Sequence, residues 1–151
     1  MRYTSVCVSA AIATFGIATI SAAADDALSY NLRGNAYMYR HDYDSAIAAF
    51  NQAIRLDPKY AKAYNGRGAT YFRKGDYDRA MSDYDRAIRL DPKYAVTYVN
   101  RGYVYEQKRD YYRAIADYDR ALKLDPNNAV ARMDREHALA LLAANRPGRA
   151  P

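Results

Sequence analysis

The stretch RLDPKY occupies residues 55–60, the same six letters return at 89–94, and a near copy, KLDPNN, stands at 123–128. The pairs Asp57-Pro58, Asp91-Pro92 and Asp125-Pro126 are each 34 residues from the next. A fixed period of that size marks a repeat array, in which each unit buries its apolar face by stacking on its neighbours. Aligned on Asp-Pro, the units are 27–60, 61–94 and 95–128, with no gap. Units one and two agree at 18 of 34 places, and so do units two and three, which is too much for chance.

Each unit predicts two helices. The first carries Tyr30, Gly34 and Tyr37, then Tyr64, Gly68 and Tyr71, then Tyr98, Gly102 and Tyr105, spacings that fall on one helical face. A glycine inside a helix costs about 1 kcal/mol against Ala, so its return in every unit predicts a second helix crossing close by. Asp42, Asp76 and Asp110 follow in polar turns and are placed to cap the second helix. That helix carries Ala46, Phe50 and Ala53, then Ala80, Tyr84 and Ala87, then Ala114, Tyr118 and Ala121, small residues around one aromatic. The residue before Pro disfavours helix and Pro itself suits a helix start, so Asp-Pro is the joint between units.

This pattern resembles the tetratricopeptide repeat, whose Gly, Tyr, Ala, aromatic, Ala and Pro places are filled in all three units. Tyr stands for the usual leading Trp, and Arg33, Arg67 and Arg101 stand before the glycines in the usual Leu place. The resemblance covers 27–128 and implies an all-α fold, a right-handed α-solenoid of three helix-turn-helix hairpins. Residues 129–144, AVARMDREHALALLAA, keep helical periodicity but put Arg132 in the Tyr place and Glu136 in the Gly place, as a C-terminal capping helix would. A repeat domain over 25–144 and a flexible tail at 145–151 are expected.

The resemblance also implies that first helices line a concave, peptide-binding groove. With the packing face taken by Tyr-Gly-Tyr, the exposed stripe is expected to run through Asn31, Asn35 and Met38, then Lys62, Asn65 and Phe72 with Arg73 beside it, then Val99, Tyr103 and Glu106. These positions differ between units while the packing positions repeat. Amides, aromatics and aliphatics together suit a peptide. Some family members clamp a terminal carboxylate with a Lys–Asn–Asn–Lys–Arg set. Asn35 matches it, but Asn31, Gly66, Val96 and Asn100 stand at the other four places.

The first 24 residues differ from the rest. Arg2 precedes a 15-residue uncharged run, Val6 to Ile20, and Ala22-Ala23-Ala24 follows, the layout of a cleavable signal peptide over 1–24. The run is short of the about 20 residues that a membrane span needs. Cleavage after Ala24 would place the mature chain in a periplasm or outside the cell, with no stable membrane insertion, and would remove the only cysteine, Cys7. A chain with no other Cys has no thiolate metal site and no thiol nucleophile.

Net charge is +6, yet no Lys/Arg run of five or more exists, which argues against nucleic acid as a partner. His41 and His137 lack metal-ligand spacing, and there is no phosphate loop, nucleophile elbow or HExxH motif. No cofactor and no enzymatic activity are expected. The carboxylates of DYDSA and DYDRA recur with the repeat, and Arg79–Asp83, Asp85–Arg89, Arg113–Asp117 and Asp119–Lys123 are spaced as exposed helix pairs worth about 0.2–0.5 kcal/mol each. The Arg33–Arg67–Arg101 row is either a cation ladder for an anionic ligand or, as its place beside the packing glycines favours, a set of stems over apolar surface with heads meeting a neighbouring Asp. The expected function is that of a protein-binding adaptor for a peptide segment of an envelope protein, with self-association by end-to-end stacking of hairpins as the alternative.

Overall fold

The computed structural model describes residues 26–145, so the expected signal segment at 1–24 and all of the expected tail but Asn145 lie outside the described residues. Those residues form α1 (Ala27–Tyr39), α2 (Tyr43–Leu56), α3 (Ala61–Arg73), α4 (Tyr77–Leu90), α5 (Ala95–Gln107), α6 (Tyr111–Leu124) and α7 (Ala129–Ala144), with no strand among them. Consecutive helices pack as antiparallel hairpins. The odd-numbered helices also touch one another in the order α1, α3, α5, α7 and make the inner layer, while α2, α4 and α6 form the outer one.

Local chemistry sets the element ends. Asp42, Asp76 and Asp110 each accept a hydrogen bond from the backbone N–H three residues on, at 3.2, 3.0 and 3.1 Å, and Asn128 caps α7 in the same way. The inner helices α3 and α5 start without a side-chain cap. Their starts are set instead by the Asp-Pro joint. Asp57 is extended, as the residue before Pro must be, and its carboxylate turns back to accept from Lys59 N–H at 2.9 Å. Asp91 and Asp125 repeat the turn. The next inner helix then ties the joint down: the hydroxyls of Tyr64 and Tyr98 donate to the carbonyls of Pro58 and Pro92. In α7 the guanidinium of Arg132 makes the corresponding bond to Pro126 at 3.0 Å. The residue that breaks the repeat signature therefore keeps its hydrogen bond.

The aromatic of each outer helix is the core of its hairpin. Phe50, Tyr84 and Tyr118 are at most 1% exposed, and burial of each is worth about 1.5–3 kcal/mol. Phe50 lies between Gly34 of its own hairpin and Gly66 of the next; a Cβ at either would sit 2.6 or 2.5 Å from its ring. At Gly68 and Gly102 a Cβ would sit 2.9 and 2.7 Å from the rings of Tyr84 and Tyr118. The hairpin turns place His41, Gly75 and Arg109 at positive φ. Glycine takes that conformation without strain, and the other two do not.

Candidate functional site

The inner layer carries two adjoining cavities. One, of about 510 Å³, lies over α3, α5 and the start of α7. Phe72 and Tyr103 meet there edge to face with centroids 5.3 Å apart, Val99 and Val130 supply aliphatic surface, Arg73 comes from α3 and Asp134 from α7. The second, of about 580 Å³, is lined by Asn35, Met38, Tyr39, His41 and again Arg73. Phe72 is held by a second ring, Tyr77, stacked at 5.4 Å, so the aromatic wall is set before any ligand arrives.

Of the stripe expected from the sequence, Asn35, Met38, Phe72, Arg73, Val99 and Tyr103 line these cavities. Lys62 is exposed on α3 but lines neither. The expectation that the whole stripe is exposed needs correcting at four positions. Asn31, Asn65, Val99 and Glu106 are only 6–8% exposed. Asn65 is covered because its side-chain oxygen accepts from Asn100 across the α3–α5 seam at 3.0 Å. Glu106 is turned into the α5–α6–α7 junction, where Tyr118 donates to it at 3.3 Å and His137 Nδ1 lies 3.0 Å from its other oxygen. Val130 and Asp134 were not legible as groove residues once 129–144 was read only as a cap. They lie 34 residues beyond Val96 and Asn100, and continuing the repeat register would have found them.

Burial pushes the Asp134 carboxyl above the ordinary carboxylate range, the nearby Glu106 charge pushes it further, and His137 works against both. Burial also raises the Tyr118 phenol, with Glu106 adding to it.

Two members of the arginine row, Arg67 and Arg101, are consumed by the fold. Arg67 forks onto Asp83 with N–H···O distances of 2.8 and 2.7 Å and reaches Asn51 with its third nitrogen. Arg101 forks onto Asp117 at 2.8 and 2.7 Å and reaches Asp85 at 2.7 Å. Arg67 and Arg101 thus each tie their own outer helix, 16 residues on, to the preceding one, 16 residues back. Arg135 extends the row by bonding Asp119. Ala49 stands where Asp83 and Asp117 would be in the first unit. Desolvation raises the Asp117 carboxyl above the ordinary carboxylate range, with the fork from Arg101 working against it, and the same fork raises the Arg101 guanidinium. The expected i,i+4 pairs do not form: Asp83, Asp85, Asp117 and Asp119 serve these arginines, and Arg79 and Arg113 turn back to their own cap residues, Asp76 and Asp110. A bidentate bond to a neighbouring helix outcompetes a single exposed one along the same helix. Among the described residues no group of three or more His, Cys, Asp or Glu could hold a metal, and no helix is long and apolar enough to cross a membrane.

Family models for the tetratricopeptide repeat match residues 31–95 and 95–128. The chain belongs to the tetratricopeptide repeat family. Its fold is that of solved members. The first such domain of Spaghetti (RPAP3), solved bound to the HSP90 peptide SRMEEVD, is 31% identical with a TM-score of 0.74, over 78% of this chain and 93% of that one. The first domain of human RPAP3 is 30% identical with a TM-score of 0.76, over the same shares. The Sgt2 domain from Aspergillus fumigatus is 26% identical with a TM-score of 0.77, over 83% and 85%. Among curated proteins no match is found.

Proposed function

We propose that this tetratricopeptide array is an exported, non-enzymatic adaptor that holds an extended segment of an envelope protein on its concave face. The observation that carries the reading is the preformed groove over α3, α5 and α7, with the Phe72–Tyr103 pair open to solvent at its wall. Rigid aromatics that need little ordering are the usual centres of binding energy. The similarity to a domain solved with a bound peptide supports a peptide as the ligand. The peptide should differ from that acidic one. Asn31 is buried and Asn100 is engaged with Asn65, while Gly66 and Val96 offer no polar side chain, so four of the five places of a carboxylate clamp cannot act as one.

The test starts from a pull-down out of envelope extract and continues with calorimetric titration of the recovered partner. Phe72→Ala and Tyr103→Ala should each weaken binding, at least one by about 2 kcal/mol, and Arg86→Ala on the outer layer should not. The reverse pattern would move the site to the convex side. Export is checked by the intact mass of native material, which should begin at Asp25; a chain that retains Met1 would refute cleavage.

End-to-end association is the second reading. Leu28, Leu32 and Tyr39 are 53%, 58% and 88% exposed on α1, and Leu32 occupies the register of Gly66, which in α3 lies against the preceding hairpin. A preceding hairpin from another copy would cover them. Light scattering that finds a strict monomer across a wide concentration range removes this reading.

A further inference from the structure

The charges of the groove are graded along its length. The cavity at the first hairpin presents Arg73 and His41 with Asn35 and no carboxylate. The second cavity shares Arg73 on its α3 wall, and on its α7 wall Asp134 lines it against Val99, Val130 and Tyr103, with Glu106 close enough to act on its charge. Glu106 is 7% exposed, and its only ion-pair partner among the described residues is His137. Asp134 makes no side-chain hydrogen bond and no ion pair among them. This contrasts with Asp83 and Asp117, which are as enclosed as Glu106 and are each gripped by an arginine fork.

On the reading that the concave face holds a partner segment, we propose that the notch between α5 and α7 receives a lysine or arginine side chain of that segment, with Asp134 as the acceptor of its charge. The walls suit the methylene stem, and the Phe72 and Tyr103 rings suit a cation lying across them. An apolar side chain in the same place would strip water from Asp134 and return no hydrogen bond. An acidic one would meet the like charge of Asp134. The charged and titratable groups lining the cavity are Asp134 and Tyr103 at the α5–α7 notch and Arg73 on the α3 wall, while Glu106 and His137 act on Asp134 from outside the lining. A segment that is basic where it meets α7 and acidic or polar where it meets α1 matches the groove along its length.

The test is selection of a displayed random peptide library on the full chain and on its Asp134→Asn, Glu106→Gln, Phe72→Ala and Tyr103→Ala variants, each first checked for the wild-type helical circular-dichroism spectrum. Asp134 is only half-buried, so its variant carries the test if Glu106→Gln does not fold. The expected result is that Lys and Arg are enriched about tenfold over the input library at one position on the wild type, and that Asp134→Asn abolishes the preference while peptides are still captured. Peptides captured without a basic position, yet lost on Phe72→Ala or Tyr103→Ala, overturn the notch and leave the groove standing. No enrichment at all, or enrichment that ignores Phe72→Ala and Tyr103→Ala, overturns both.

Discussion

Two sets of carboxylates behave in opposite ways in this molecule. Across the inter-layer seam, Asp83 and Asp117 are each 8% exposed at the side chain and are met by both prongs of an arginine. Beside the groove, Glu106 is enclosed to the same degree but has only His137 and a tyrosine hydroxyl, and at the groove wall the half-buried Asp134 makes no side-chain hydrogen bond and no ion pair among the described residues. The seam repeats every 34 residues and is satisfied within the chain; the groove varies from unit to unit and is left incomplete. Buried charge that is paired organises a fold, and charge left unpaired in a cavity invites a ligand.

The largest expected effect comes from opening the seam. Arg101→Ala removes the fork from Asp117 and the bond to Asp85, leaving a buried carboxylate alone, and should cost about 3 kcal/mol in denaturant unfolding. A loss below about 1 kcal/mol would show that the row is surface decoration. Next comes the contact beneath the seam. A Cβ at Gly68 would lie 2.9 Å from the Tyr84 ring and 3.2 Å from Asp83 Cβ, so Gly68→Leu should lower stability by about 1–3 kcal/mol despite better helix propensity. An unchanged melting midpoint would place the packing face elsewhere.

Groove substitutions should perturb the fold less. Tyr103 is 40% exposed and its main ring contact is Phe72, so Tyr103→Ala should cost about 0.5–1 kcal/mol of stability while removing much of the binding. The smallest effect has the opposite sign and depends on pH. Because burial and Glu106 raise the Asp134 carboxyl in the folded chain, its ionised form opposes folding at neutral pH. That penalty falls away as the pH drops through the folded-state value and is gone below the unfolded one. Asp134→Asn should therefore stabilise the chain at pH 7, by less than about 1 kcal/mol for a half-exposed group, with the gain vanishing near about pH 3. Thermal melts of both proteins at the two pH values decide it, and a loss of stability at pH 7 would mean that Asp134 has an internal partner.

The repeat made most of the fold legible. Tyr-Gly-Tyr, the capping aspartates and Asp-Pro act within a few residues of themselves, and such local signals carry the helix bounds and the joints without help from distant chain. The groove was legible only in part, and its errors share one cause. Asn31, Asn65, Val99 and Glu106 were placed on an exposed face from helical phase alone. Phase gives the direction in which a side chain points, but not what lies there. The neighbouring helix supplied Asn100 for Asn65 and His137 for Glu106.

The sequence by itself determined the period, the two helices per unit, the close approach at Gly34, Gly68 and Gly102 and the family, because these follow from spacing, propensity and the absence of a side chain at named positions. Only the tertiary structure decided the pairing of charges. DYDRA permits Arg79–Asp83 within a helix as readily as Arg67–Asp83 between helices, and the second wins because stacking brings a fork geometry to a desolvated carboxylate. The same stacking, by adding α7 beside α5, turned Val130 and Asp134 of a capping helix into the acidic end of the groove.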